Sequence, residues 1–189
     1  CLPHMTVIVP ADWREVQKAT EAAARQYGPI YIRFGREAVP VVTQEDTPFE
    51  IGKAYCCREG TDVAIIACGA MVYASLVAAE RLARKGIAAM VINLHTIKPI
   101  DRETVIEAAQ ICGAVVTAEE HQVMGGMGSA VAEVLSEACP VPIQMVGIMD
   151  SFGESGEPGE LMQKYGLTPE HVVTAAEAVL ACKAAGAKQ

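Results

Sequence analysis

Short apolar runs recur along the last two thirds of this chain, at residues 62–67, 88–94, 114–118 and 143–148, with stretches of helical period between them. Few folds tolerate that alternation. Continuous apolar strands spaced by helices predict an α/β architecture, a mostly parallel sheet flanked by helices. The helix signals agree. Leu76, Ala79 and Leu82/Ala83 form an inward stripe stopped by Gly86, and Val131, Val134, Leu135 and Ala138 follow the i, i+3, i+4, i+7 pattern. Asp101 reads as an N-cap with Ile100 and Val105 at staple positions. Thr168 caps the last helix, with Pro169 at its first turn and a Leu167–Val172 staple.

The N-terminal stretch predicts a smaller unit. Residues 5–10 read as a buried strand closed by Pro10. Asp12 and Glu15 have the spacing of a capping box, so a helix is predicted over residues 13–26, stopped by Gly28-Pro29 and followed by a strand at 30–34. This is a β-α-β unit with two parallel strands. Two strands and one helix cannot cover both faces of a sheet, so residues 1–40 are expected to finish a larger α/β domain that begins upstream, with Cys1 marking a cut inside a longer protein. Pro40, Pro48 and the pair Glu45-Asp46 punctuate residues 37–50 without any sustained period, which reads as a linker, centred on 41–47. The second domain then runs over 48–189, and its Ala/Lys-rich end, 182–189, is expected to fray.

Composition excludes several classes of function. The net charge of −8 and the lack of any basic block argue against nucleic acid as a partner. No apolar run approaches the ~18 residues of a membrane span. The 7 cysteines form no C-x-x-C pair, and no histidine stands at zinc-ligand spacing from them, so neither a disulfide framework nor structural zinc is expected. Together with the absence of a leader sequence this points to a cytoplasmic setting.

The segment most suggestive of chemistry is TAEEHQVMGGMGS, residues 117–129, between a strand and a helix. Gly125, Gly126 and Gly128 permit a tight turn and close backbone approach, and the amides of the following helix offer an anion site. It is not a dinucleotide fingerprint, since Ala130 and Val131 stand where a third glycine belongs, nor a P-loop, since no Lys-Ser/Thr follows. A structural or interface turn is the favoured reading, and a small-molecule site stays open. Glu119, Glu120 and His121 resemble an acid–base cluster, but neighbours on an extended chain point alternately, so packing is favoured for them too. His95 at a strand exit reads as structural, His4 and His171 as surface residues, and the loop Asp150–Gly156 lacks a nucleophile elbow. Arg33 and Arg36 stand at the C-terminal end of a parallel strand, where α/β sheets place ligand contacts and where a guanidinium can grip a phosphate or carboxylate through two parallel hydrogen bonds. A surface ion pair is the alternative for either.

The ordered motifs MTVIVPAD, GPIYIRFGRE, DVAIIACGAMV, LHTIKPID, TAEEHQVMGGMGSAVAEVL and FGESGEPGELMQKYGLTPEHVV resemble the C-terminal part of transketolase, especially the split type with a separate C-terminal subunit. The resemblance covers almost the whole chain. Single motifs are shared with 1-deoxyxylulose-5-phosphate synthase and the beta subunit of 2-oxoacid dehydrogenases, while the FGESGEP…KYGLTPE ending favours transketolase. The resemblance implies that residues 1–40 end the pyrimidine-binding domain and 48–189 form the transketolase C-terminal domain. It implies thiamine diphosphate and Mg in the complete enzyme, with none bound by this chain alone, and two-carbon transfer between sugar phosphates as in the pentose phosphate pathway. The implied partners are the N-terminal transketolase region or subunit and a second copy, as a homodimer or heterotetramer. The catalytic glutamate, the ring-stacking aromatics and the substrate histidine motif of the family lie upstream of Cys1, so no catalytic residue is expected in this chain. Arg36, in FGRE, matches the arginine that holds the substrate's phosphate. A fragment of the oxoacid or deoxyxylulose enzymes, or a non-enzymatic assembly or regulatory module, are the alternatives.

Overall fold

The computed structural model describes residues 2–186. Cys1 and the last three positions of the 182–189 end lie outside the described residues; the helix that reaches this end continues to Gly186.

The chain builds β1 (Thr6–Ile8), α1 (Trp13–Arg25), β2 (Ile30–Ile32), β3 (Tyr55–Arg58), β4 (Val63–Ala67), α2 (Met71–Ala83), β5 (Ala89–Asn93) and β6 (Thr96–Lys98). It continues with α3 (Arg102–Cys112), β7 (Val115–Gln122), α4 (Met127–Ala138), β8 (Ile143–Ile148), α5 (Pro158–Lys164) and α6 (Pro169–Gly186). The larger sheet has the order β3-β5-β4-β7-β8. Its strands pair in parallel except β3, which runs antiparallel along the β5 edge. This is the predicted α/β class, a mostly parallel sheet between helices.

Strand periodicity explains the two cores. Alternate residues of β4 face opposite ways. Val63, Ile65 and Ala67 pack with Val72, Ala79 and Leu82 of α2 and with Val172 and Ala176 of α6. Ala64 and Ile66 pack with Val105 and Ala109 of α3 and with Val131 and Leu135 of α4. Of the stripe read in the sequence, Ala79 and Leu82 are buried and Leu76 is half-buried against the same core, while Ala83 faces solvent; Val72, Ser75 and Ala78 widen the buried face.

The smaller sheet has the order β2-β1-β6, with β1 and β2 parallel and β6 antiparallel to β1. β6 leaves the larger sheet through Leu94 and His95 and lies down beside β1. The N-terminal unit therefore borrows a strand from the region after the linker. Asp12 caps α1 by accepting from the Glu15 amide at 3.0 Å. The Glu15 carboxylate departs from the expected box: it reaches past the cap to the Ala11 amide at 2.6 Å and to the Asn93 side chain at 2.8 Å.

Candidate functional site

The C-terminal ends of β2 and β7 come together. Glu119, Glu120 and His121, read from sequence as loop residues, belong to β7, which runs to Gln122 and shifts its pairing with β8 between Ala118 and Gln122. Alternation separates their side chains. Glu119 is 2% exposed and points under the start of α4. Its two oxygens accept the Met127 amide at 2.7 Å and the Gly128 amide at 2.8 Å. The His121 ring lies on the same side, its Nδ1 3.8 Å from Glu119 and 2.7 Å from the Gln122 carbonyl oxygen. Glu120 turns the other way, 3.8 Å from the Arg33 guanidinium.

The glycines explain how a carboxylate fits there. A Cβ on Gly126 would run into the Glu119 carboxylate and the Gln122 carbonyl, and one on Gly128 would come within 2.7 Å of the Thr117 hydroxyl. Gly125 takes φ +77, a conformation that disfavours side chains. These glycines let the α4 N-terminus close over Glu119. Burial raises the Glu119 pKa, and the two amide hydrogen bonds oppose that rise. The positive end of the helix dipole, the expected anion site, is filled by the protein's own carboxylate. A diphosphate does not fit there, and among the described residues no cluster of three or more His, Cys, Asp or Glu could hold a metal ion.

Arg33 and Arg36 differ in their surroundings. The Arg33 amide donates to the Ile8 carbonyl oxygen at 2.8 Å, continuing the β1–β2 ladder, and its side chain faces Glu120. Arg36 is exposed and has no hydrogen bond or ion pair among the described residues. It follows the end of β2 on a stretch, residues 34–41, whose residues are all exposed except the half-buried Val39.

His95 is buried, stacked on Phe49 with ring centroids 4.3 Å apart and hydrogen-bonded to the Thr96 hydroxyl at 3.0 Å; burial lowers its pKa to about 4. His171 bonds the Thr168 hydroxyl at 2.8 Å, and His4 is exposed. In the 150–156 loop the Phe152 carbonyl accepts from the Tyr165 hydroxyl, and Glu154 pairs with Lys164. The six described cysteines are free. Burial pushes Cys56, Cys57, Cys68 and Cys112 up, Cys57 to about 12, so these thiols stay protonated at neutral pH and are poor nucleophiles.

Sequence reasoning assigned the helix α1 residues to capping alone. In the structure Asp12, Glu15 and Lys18, each about one helical turn from the next, also anchor segments distant in sequence. Asp12 holds the backbone at Val42 and Thr43, Glu15 holds Asn93, and Lys18 donates to the carbonyls of Gln44, Glu45 and Thr47. The i, i+3, i+6 spacing of charges was the available signal, but it gives no partner.

Comparison with known proteins places this geometry. The family described as "Transketolase, C-terminal domain" matches residues 52–172. The 6-deoxy-6-sulfo-D-fructose transketolase subunit SqwH of Clostridium sp. (strain MSTE9) is 47% identical over 178 residues, covering 94% of this chain and 55% of that protein. The 1-deoxy-D-xylulose-5-phosphate synthase of Trichormus variabilis is 43% identical over 177 residues, covering 91% of this chain and 28% of that protein. A solved structure titled "Split gene transketolase, inactive beta4 tetramer" superposes with a TM-score of 0.94 at 50% identity, over 96% of this chain and 60% of that one. The chain thus spans little more than half the length of the transketolase subunits it matches.

Proposed function

The chain belongs to the family of transketolase C-terminal domains, and from that premise we propose that it is the C-terminal part of a thiamine diphosphate-dependent transketolase, which moves two-carbon ketol units between sugar phosphates. In this reading residues 1–40 finish the pyrimidine-binding domain, 41–47 link, and 48–189 are the C-terminal domain. The cofactor, Mg and the catalytic groups belong to the N-terminal region or subunit, and a second copy of this chain completes a homodimer or heterotetramer. The free cysteines fit a reducing cytoplasm.

The observation that carries the reading is the contrast between the two arginines. Glu120 faces Arg33, whereas Arg36 stands exposed beyond a strand end with no carboxylate engaged among the described residues. A free guanidinium there can donate two parallel hydrogen bonds to a sugar phosphate's phosphate. In the complete assembly, Arg36→Ala is expected to raise KM for phosphorylated sugars. Loss of a charge-assisted contact is worth about 1.5–3 kcal/mol, a fall in kcat/KM of about 10–150-fold. An unchanged KM removes Arg36 from the substrate site.

Similarity to 1-deoxy-D-xylulose-5-phosphate synthase favours a second reading, a fragment of an enzyme that decarboxylates pyruvate. Ketol transfer from xylulose 5-phosphate to ribose 5-phosphate by the complete assembly, and not by this chain alone, supports the first. Pyruvate decarboxylation by a folded assembly that lacks ketol transfer supports the second.

A further inference from the structure

The segment that carries Arg36 has two feet, and both stand on the same turn. At its start the Arg33 amide donates to the Ile8 carbonyl oxygen at 2.8 Å, at the end of β1. At its finish the Val42 and Thr43 amides donate to Asp12 Oδ2 at 2.8 and 2.7 Å, at the start of α1. The Thr43 hydroxyl bonds both Asp12 oxygens, at 2.8 and 2.9 Å. Residues 34–41 between the feet form no secondary structure. A surface loop whose ends meet on one short turn is an Ω-loop in form, and its conformational freedom is set by how firmly its ends are closed.

The two feet are built differently. The first belongs to the β1–β2 ladder. The second rests on one carboxylate, which is 2% exposed and gathers three donors from the loop and the Glu15 amide from the helix. Residues 44–47 are then fastened by Lys18, whose ammonium donates to the Gln44, Glu45 and Thr47 carbonyl oxygens at 3.1, 2.9 and 2.5 Å. Without the Asp12 foot the closed loop would lengthen from 33–42 to 33–44, with its loose end at a lysine rather than at the β1–α1 turn.

We propose that Asp12 is a positioning residue for substrate phosphate, acting through the loop it closes to hold Arg36 at the strand end. The inference rests on the assignment of Arg36 made above. It gives Asp12 a second task beside capping, and the backbone amides divide between its oxygens, with the Thr43 hydroxyl alone touching both. Oδ1 accepts the Glu15 amide, while Oδ2 accepts both loop amides. Asparagine is as good an N-cap as aspartate, so Asp12→Asn keeps the helix cap through Oδ1. It places an NH2 donor against the Val42 and Thr43 amides, which are donors themselves, and thereby opens the foot.

The test compares two ketol donors in the complete assembly, one phosphorylated and one without phosphate, with Asp12→Asn, Thr43→Val and Arg36→Ala. Displacement of a binding group by about 1 Å costs up to about a hundredfold. Asp12→Asn is expected to raise KM for the phosphorylated donor about tenfold more than KM for the other. Thr43→Val, which removes one hydroxyl and keeps both amides, should shift the same ratio in the same direction by less. The double variant Asp12→Asn/Arg36→Ala should be no more phosphate-selective than Arg36→Ala alone, because the loop then carries nothing to position. If Arg36→Ala is selective against the phosphorylated donor and neither Asp12→Asn nor Thr43→Val is, the positioning role is overturned while the Arg36 assignment stands. If Arg36→Ala itself shows no selectivity, that assignment fails and this inference with it. An Asp12→Asn assembly that does not fold leaves Thr43→Val to decide, a flat ratio counting against the proposal.

Discussion

Glu15 is 1% exposed and makes no ion pair among the described residues. Its carboxylate has only the Ala11 amide and the Asn93 side chain as donors. Burial raises its pKa, and these hydrogen bonds offset only part of the rise. Beside it the buried Asn93 Oδ1 has no hydrogen-bond partner. A carboxyl group with a raised folded pKa binds its proton more tightly in the folded chain than in the unfolded one. Stability is therefore greatest below the unfolded pKa and falls as pH climbs through the raised folded value. Glu15→Gln removes that slope, because an amide has no charge to bury, keeps one acceptor for Ala11 and, once the Asn93 amide turns over, meets its Oδ1 with an NH2. Thermal unfolding should show Glu15→Gln above the parent chain at pH 7 by about 2–4 °C for each kcal/mol recovered, with the gain gone by pH 4. A lower Tm for Glu15→Gln at both pH values would mean that the ionised carboxylate is the stabilising form.

At the scale of elements, α4 is held by what lies beneath its first turn. Glu119 satisfies two of the amides that any helix leaves without an intrahelical partner. Glu119→Gln offers one acceptor and one donor to two N–H groups, so one is orphaned in a buried place, at a cost of about 1–3 kcal/mol. Urea unfolding of Glu119→Gln should show a lower midpoint, with exchange of the Met127 and Gly128 amides faster than in the parent. Unchanged exchange at both positions would assign their protection to something other than the carboxylate. This arrangement also marks the limit of what can be read from the sequence. β4 and β5 were legible because their residues are apolar on both faces, a pattern that only a covered parallel strand explains. Glu119 to Gln122 looked like loop because they are polar, and only the tertiary fit of α4 over a carboxylate makes them strand. β3 and β6 are short and take their order from partners distant in sequence, and α5 buries no residue fully, so none of these had a local signal. The strand-end positions of Arg33 and Arg36 followed from pattern. The loop feet on Asp12 did not, since a capping signal uses one carboxylate oxygen and says nothing of the other.

For the whole molecule the question is whether the region after the linker stands by itself. Its larger sheet has a helix pair on each face, yet its packing continues into the N-terminal unit. β6 has β1 as its partner. Val9, 7% exposed, belongs to the apolar cluster that holds Cys68, Ile92 and Leu94, and Ala11 belongs to the cluster on the opposite face of the sheet. The Val9 amide donates to the His95 carbonyl oxygen at 2.7 Å, and the Gly69 amide donates to the Val9 carbonyl oxygen at 3.2 Å. Removing residues 1–47 would bare a strand edge, uncover part of both clusters and strip Asn93 of the Glu15 carboxylate. Losses of this kind in a core are each of the order of the 2–5 kcal/mol measured when a large buried side chain is cut to Ala. Fragment 48–189 is therefore expected to unfold in urea at a clearly lower midpoint than 1–189, and to expose apolar surface that the longer chain covers. Equal midpoints would make the N-terminal unit a passenger on a self-sufficient domain. A lower midpoint would make the β1–β6 pairing and the Glu15–Asn93 contact a mechanical link, so that whatever moves β2 and the loop that follows it also strains the sheet behind them.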